Sequence, residues 1–369
     1  MNKGPFRADH VGSYLRPPSV LSARDQCARG EISADALRLV EDAAIRDVVK
    51  KQEDVGLQGI TDGEFRRTYF HVDFLEELDG VTISYGEFAA KFRKDDGTKV
   101  GFAPPTIHVS GQVRHRASIQ GKDFDFLKSV VHKTPKVTIP SPSMLHFRGG
   151  RDAIDAKIYP DLGQFYADLA DAYAEEIADL AERGCRYLQL DDTNLAYLCD
   201  PEIRESTRKR GDDPDQLVRT YCALINRAIA KRPSDMTIAT HLCRGNFKSA
   251  WVAQGSYEPV AEILFNELNI DGFFLEYDDE RSGDFAPLRF LPKGKAVVLG
   301  LMSSKRAAIE NKDEVKRRIE EAAHYAPIEQ LALSHQCGFS STVHGNELSE
   351  ADQWKKLALM VEIANEVWP

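Results

Sequence analysis

Long apolar runs are missing from these 369 residues; the longest, such as Ala296 to Leu301, are strand-sized. A membrane-spanning helix needs about 20 consecutive apolar residues, so a helical membrane protein is excluded. The opening residues, MNKGPFRADHVGSY, lack the apolar core of a secretory signal, and the expected location is the cytoplasm. Positive charge is short as well. There are 48 Lys and Arg residues against 58 Asp and Glu, a net charge of −10, which leaves no general basic field for nucleic acid or an anionic membrane. Cysteine is sparse: Cys27, Cys185, Cys199, Cys222, Cys243 and Cys337 are too few and too scattered for a disulfide framework. No glycine-rich phosphate loop follows an early strand, and no repeat, low-complexity tract or linker divides the chain. One domain over residues 1–369 is the expectation.

What the sequence does contain is an alternation of short apolar runs and long amphipathic stretches, the pattern of βα units around a parallel sheet. Strands are expected at Phe6–Val11, Gln58–Asp62, Lys136–Pro140, Arg186–Asp191, Met236–His241, Asp271–Glu276, Lys295–Leu301 and Ile328–Ser334. The clearest helix runs from about Asp161 to Arg183, with Leu162, Phe165, Leu169, Tyr173, Ile177 and Leu180 at helical spacing and Gly184 at the capping position. Leu217–Lys231, Tyr257–Leu268, Asp313–Tyr325 and Ala351–Val367 read the same way, and Ile32–Asp54 reads as one helix or two. Eight strands with helices between them predict an α/β fold, a (β/α)8 TIM barrel. Residues 80–133 break the rhythm. The Asp96-Gly97 pair and the alternating run Thr106-Ile107-His108-Val109-Ser110 predict a β-hairpin insertion there.

In such barrels the reactive groups sit at the C-terminal ends of the strands. Two of the expected ends carry His-x-Cys: His241-Leu242-Cys243 and His335-Gln336-Cys337. Residues two apart on an extended chain point the same way, and imidazole with thiolate is the ligand set zinc prefers. A single such pair is more simply a buried histidine beside a buried thiol. Two pairs at one rim point to a zinc site. Spacing alone leaves the ligands open between both pairs together, a neutral centre, and His241, Cys243 and Cys337 with Glu276, a centre with one net negative charge. Cys185 and Cys222 lie in apolar periodic segments and read as small buried hydrophobes. The carboxylates at other strand ends have plain readings too. Asp191 and Asp192 suit helix caps, Glu64 suits an ion pair with Arg66 or Arg67, and Ser13 suits the N-cap of a first turn. Around a metal pocket, Glu64 and Asp191 become anchors for a substrate ammonium group or carriers of a proton.

Read in order, His10-Val11-Gly12-Ser13-Tyr14, Asp62-Gly63-Glu64-Phe65-Arg66-Arg67, Leu188-Gln189-Leu190-Asp191, His241-Leu242-Cys243 and Cys337-Gly338 resemble the catalytic barrel of the cobalamin-independent methionine synthase family. The resemblance covers nearly the whole chain. It implies a (β/α)8 barrel that binds zinc through His241, Cys243, Glu276 and Cys337, and so argues against His335 as a ligand. It also implies that Ser13, Glu64 and Asp191 hold the amino-acid portion of homocysteine. The activity implied is transfer of a methyl group to the homocysteine thiol, giving methionine. The donor this implies is 5-methyltetrahydrofolate, with a methylcorrinoid as the alternative. A free thiol with a pKa near about 8.5 is mostly protonated at neutral pH, and a zinc centre rich in thiolate can bind it as the thiolate.

Two departures from the family pattern bear on the donor. The family's N-terminal barrel, which helps to bind the folate tail, has no counterpart in these residues. The stretch after the seventh expected strand, Gly300-Leu301-Met302-Ser303-Ser304-Lys305, lacks the family's proton-transferring histidine, and His335 and His344 are the substitutes to consider. Three other functions compete. Transfer to a different small thiol, as in epoxide:coenzyme M transferases, keeps His241, Cys243 and Cys337. A metal-free lyase like uroporphyrinogen decarboxylase needs basic groups and no thiol cluster. A non-catalytic barrel with structural zinc would bind no thiol.

Overall fold

The longest periodic stretch forms the helix Leu162–Glu182, and the reason is legible residue by residue. Phe165, Leu169, Tyr173, Ile177 and Leu180 all face inward and are buried. Asp161 opens the helix by accepting the Gly163 amide at 2.9 Å. Gly184, at φ 98°, closes it by returning its own amide to Ala181, while Cys185 returns to Leu180. The stretch open to one or two helices forms a single one, Ala34–Val55, because Ser33 caps its start and Gly56 its end.

The computed structural model describes residues 3–85, 90–94, 96–102 and 105–369. Its strands are β1 Gly59–Ile60, β2 Asp79–Ser84, β3 Ala90–Arg93, β4 Lys99–Phe102, β5 Thr106–Arg114, β6 Thr134–Pro135, β7 Val137–Pro140, β8 Tyr187–Asp192, β9 Thr237–Leu242, β10 Gly272–Glu276, β11 Ala296–Met302 and β12 Leu331–His335. The architecture is α/β. Strands β7 to β12 form one parallel sheet in chain order, and β1 pairs in parallel with β6. Strands β7, β8, β9, β10 and β12 are buried at every position, as expected of parallel strands covered on both faces. Helices Leu162–Glu182, Pro214–Ile229, Glu258–Glu267 and Lys312–Ala323 supply the crossovers that parallel pairing requires. Between β10 and β11 two short 3-10 turns, Glu280–Ser282 and Ala286–Phe290, stand in for one. Among the described residues no helix is long and apolar enough to cross a membrane.

Three expectations need correction. Phe6–Val11 forms no strand; only Ala8 bridges to Leu333. The Asp9 carboxylate takes the amides of Phe6 (2.9 Å) and His10 (2.8 Å), so those donors are satisfied without a neighbouring strand. Ile328–Gln330 is a 3-10 turn, and the strand begins at Leu331. The 80–133 insertion is not one hairpin. The Asp96-Gly97 turn joins β3 to β4, whereas the alternating run lies in β5 and pairs antiparallel with β2. Gly121–Val130 is helical and leads back to the parallel strands. Residues 86–89, 95 and 103–104 of the insertion lie outside the described residues.

Candidate metal centre

His241 ends β9 with Leu242, and Cys243 follows with its amide bonded to the Asp192 carbonyl at 2.8 Å. Continued extension keeps His241 and Cys243 on one side. Glu276 is the last residue of β10, and Cys337 lies just beyond β12. All four are buried, and one ligand atom from each lies within 4.8 Å of the others. The sulfurs of Cys243 and Cys337 are 3.5 Å apart. That is too long for a disulfide, which needs about 2.05 Å. It is close to the roughly 3.8 Å that two thiolates adopt on one tetrahedral ion with bonds of about 2.3 Å.

The polar atoms here are poorly satisfied by protein. Neither ring nitrogen of His241 makes a hydrogen bond, and neither does Oε2 of Glu276, although all are buried. Oε1 of Glu276 accepts the Arg244 amide at 2.7 Å, and Lys305 Nζ stays 3.7 Å from Oε2. Burial opposes protonation of His241, but Cys337, Asp191 and Glu276 outweigh it and raise the pKa. Cys243 and Cys337 divide a proton: donation from Cys243 holds Cys337 well below the usual thiol range, and the same contact with burial holds Cys243 well above it. Buried lone pairs on nitrogen, oxygen and sulfur that converge with few hydrogen-bond donors among them are what a bound cation satisfies, and this donor set fits zinc.

His241, Cys243 and Cys337 of the cluster line a cleft that Ser13, Glu64 and Asp191 also line. Glu64 is held in a strained conformation by hydrogen bonds. Its φ of 60° is unfavourable for a residue with a Cβ, and Arg16 secures it by donating to its carbonyl at 2.7 Å. Arg16 also donates to Ser340 and Thr342, which ties the loop after β1 to the loop after β12. The Glu64 carboxylate accepts from Thr138 Oγ1 at 2.9 Å and faces Arg67 at 3.7 Å. Asp191 accepts from Gln189 at 2.7 Å. Burial, then the neighbouring Glu64, pushes the Asp191 pKa up to about 7, and burial raises that of Glu64 despite Arg67. Two crowded carboxylates of this kind gain stability when a cation arrives.

The plain readings separate on the same geometry. Asp192, not Asp191, does the capping, accepting from Leu195 N at 2.8 Å and Ser143 Oγ at 2.6 Å. Ser13 caps no helix; its Oγ accepts the Ser340 amide at 3.2 Å, and Pro17 stands at the first helix start. Glu64 faces Arg67, while Arg66 turns to Asp42 and Asp123. His335 is buried against Phe339, outside the four-residue cluster, and burial holds it neutral with its pKa well below the usual value. His344 is exposed and packs on Phe247 at the cleft wall. Cys185 and Cys222 are buried, their pKa values pushed to about 12 by desolvation. Sequence reasoning missed Arg148, His71 and Asn246, which line the cleft from loops with no motif, and Tyr197, which lines it from the end of the short helix Asn194–Tyr197. It also missed Phe92, which β3 of the insertion brings onto Phe247 over the mouth, where Arg93 and Trp251 exchange backbone hydrogen bonds of 2.8 Å.

The family profile described as the catalytic domain of cobalamin-independent synthase matches residues 6–366. YxjH and YxjG of Bacillus subtilis strain 168 are each 47% identical over 368 residues, 99% of this chain and 96% of theirs. The 5-methyltetrahydropteroyltriglutamate–homocysteine methyltransferase of Thermotoga petrophila is 23% identical over 91% of this chain, which spans 42% of that relative's length. Among solved structures, a Listeria monocytogenes chain provisionally described as a vitamin-B12-independent methionine synthase superposes with a TM-score of 0.80 at 40% identity, covering all of both chains. A B12-independent methionine synthase from Shewanella sp. W3-18-1, solved with selenomethionine, gives 0.71 at 19% identity over 98% of this chain and 97% of its own, a likeness of fold.

Proposed function

The chain belongs to the cobalamin-independent synthase catalytic-domain family, and on that premise we propose that it methylates the thiol of homocysteine to give methionine, with a 5-methyltetrahydrofolate as donor. The observation that carries this reading is the cluster of His241, Cys243, Glu276 and Cys337, whose imidazole and two thiols line the same cleft as Glu64 and Asp191. These four residues would hold one zinc ion. When bound, zinc supplies the positive charge that keeps a neighbouring substrate thiol as its thiolate near neutral pH.

The remaining work falls to the protein. Glu64 and Asp191 take the substrate ammonium between two carboxylates, and Ser13 bounds the same end of the cleft. Fixing the ammonium aims the sulfur at the cluster and removes orientational freedom before reaction. The sulfur attacks the donor's methyl carbon, the carbon–nitrogen bond breaks, and the electron pair goes to the departing amine, which takes up the proton that the thiol released. Phe70, Phe92 and Phe247 line the cleft and offer apolar surface to a flat donor ring.

Fold and domain limits enter on the same footing. We read the sheet as a closed (β/α)8 barrel, one domain over 1–369 with the β2–β5 excursion inserted. The six strands β7 to β12, with β6 running into β7 as one position, the strand β1 and the segment at Ala8 then fill eight positions. His10 Nε2 to Gly59 O (2.8 Å) and Thr61 Oγ1 to Gly12 O (2.6 Å) would form the seam between the first two.

The deciding experiment offers the zinc-loaded protein homocysteine with methyl-folates of different tail length and, separately, methylcobalamin, and measures methionine. Product from a methyl-folate is expected. Product from methylcobalamin alone would replace the donor, and no product from any donor would favour transfer to another thiol.

A further inference from the structure

Arg148 and His71 have no part in the reading above, yet both face the cleft. Arg148 ends the short helix Met144–Phe147 after β7, and His71 precedes the short helix Val72–Leu75 after β1. His71 is 3% exposed, and neither of its ring nitrogens has a hydrogen-bond partner. Among the described residues lining the cleft, Arg148 is the one Lys or Arg, and it makes no hydrogen bond or ion pair to protein. The neighbouring arginines are engaged. Arg16 donates to four residues of the two rim loops, and Arg67 donates to Thr138 and faces Glu64.

Arg148 is accessible through the cleft, but protein surrounds it closely enough for desolvation to pull its pKa down. After burial, its charge is the next influence keeping His71 neutral, so the two groups share one neighbourhood. Tyr197 ties that neighbourhood to the cluster. Its phenol is raised chiefly by burial, and it feels Arg148 together with Cys243, Glu276 and Cys337. A guanidinium presents five donors in a planar fork, and Arg148, exposed to the cleft with no protein partner, holds that fork free for a ligand anion. The other charged groups on the cleft wall, Glu64 and Asp191, are carboxylates.

We propose that Arg148 and His71 form a carboxylate-binding subsite in the wall of the methyl-transfer cleft. The guanidinium takes both carboxylate oxygens in a fork, and the neutral imidazole donates one N–H. Given the methyl-transfer reading, on which the choice of ligands rests, the carboxylate has two sources: the α-carboxylate of the acceptor amino acid, or a glutamyl carboxylate of the donor.

The test uses the zinc-loaded full chain, wild type against Arg148→Gln, Arg148→Lys and His71→Gln. Calorimetry measures Kd for homocysteine and 3-aminopropane-1-thiol, its carboxylate-free analogue, and for 5-methyltetrahydrofolate and the N-methylamide of 5-methyltetrahydropteroate, which keeps the amide and lacks every carboxylate. Arg148→Gln should weaken one carboxylate ligand by roughly 10- to 100-fold and leave its analogue unchanged. Arg148→Lys should recover part of the loss, and His71→Gln should give a smaller loss on the same ligand. Loss on homocysteine assigns the subsite to the acceptor, and loss on the folate assigns it to the donor. Equal loss for ligand and analogue, or no loss on either carboxylate, overturns the proposal. So does a wild-type protein that binds neither carboxylate ligand more tightly than its analogue. Because binding is read directly, a protein that fails to make methionine but keeps this preference sinks the proposed reaction and not the subsite.

Discussion

Cys243 and Cys337 lie 94 positions apart in the chain and 3.5 Å apart through their sulfurs. Two buried thiols at that distance, with the unsatisfied nitrogens of His241 and Oε2 of Glu276 beside them, form a site that protein donors alone leave incomplete. The consequences are measurable.

Metal content comes first. Purified protein should hold about one zinc per chain, because structural-grade ligand sets of this kind bind it tightly near neutral pH. Cys243→Ser and Cys337→Ser should lose it, whereas His335→Ala should keep it. Elemental analysis beside circular dichroism decides, and full zinc in the folded Cys243→Ser protein would sink the ligand assignment.

Substrate affinity should depend on the paired carboxylates. Glu64→Gln and Asp191→Asn each remove one charged partner of the ammonium, worth about 1.5–3 kcal/mol. The KM for homocysteine should rise roughly 10- to 100-fold, with the donor KM nearly unchanged. A thiol that lacks the amino group should show no such difference between wild type and variants.

Stability should depend on the fully buried pair of Asp9 and Lys136, 3.1 Å apart. Tyr187 also donates to Asp9 at 2.7 Å, and Lys136 Nζ lies 4.2 Å from the Phe274 ring centroid. Lys136→Met strands the carboxylate and should cost about 3–5 kcal/mol. Adding Asp9→Asn should restore part of that loss. A urea midpoint unchanged in the single variant would refute the assignment.

Acid sensitivity has an identifiable contributor in His146. It is buried with Nδ1 2.8 Å from the Tyr221 hydroxyl, and burial lowers its pKa from 6.5 to about 4. Since the unfolded chain binds that proton more readily, its contribution to stability is complete above about pH 6.5 and is lost as pH falls toward 4. By pH 5 the loss is about 2 kcal/mol. His146→Gln should therefore narrow the stability difference between pH 7 and pH 5 by that amount. An unchanged difference in denaturation midpoints would exclude His146 as a contributor.

The sequence by itself determined the alternation of buried strands and crossover helices, because side-chain periodicity and caps are local physics. The helix Leu162–Glu182 and the parallel strands β8 to β11 stand within a residue or two of their apolar patterns. It also marked His241 and Cys243, since alternation along an extended chain puts them on one side. The same rule misleads at His335 and Cys337. The β11–β12 ladder is irregular between Gly300 and Met302, where His335 pairs, so regular alternation stops there. His335 packs on Phe339, while Cys337 turns to the cluster. Motif resemblance had already pointed to Glu276; what only the tertiary structure decided is that its oxygen lies beside those sulfurs. It alone separated Asp191, open to the cleft, from Asp192, which caps a helix. Arg148 and His71 come from loops with no periodicity and no motif. Their role depends on which strands stand next to each other, and no pattern along the chain encodes that.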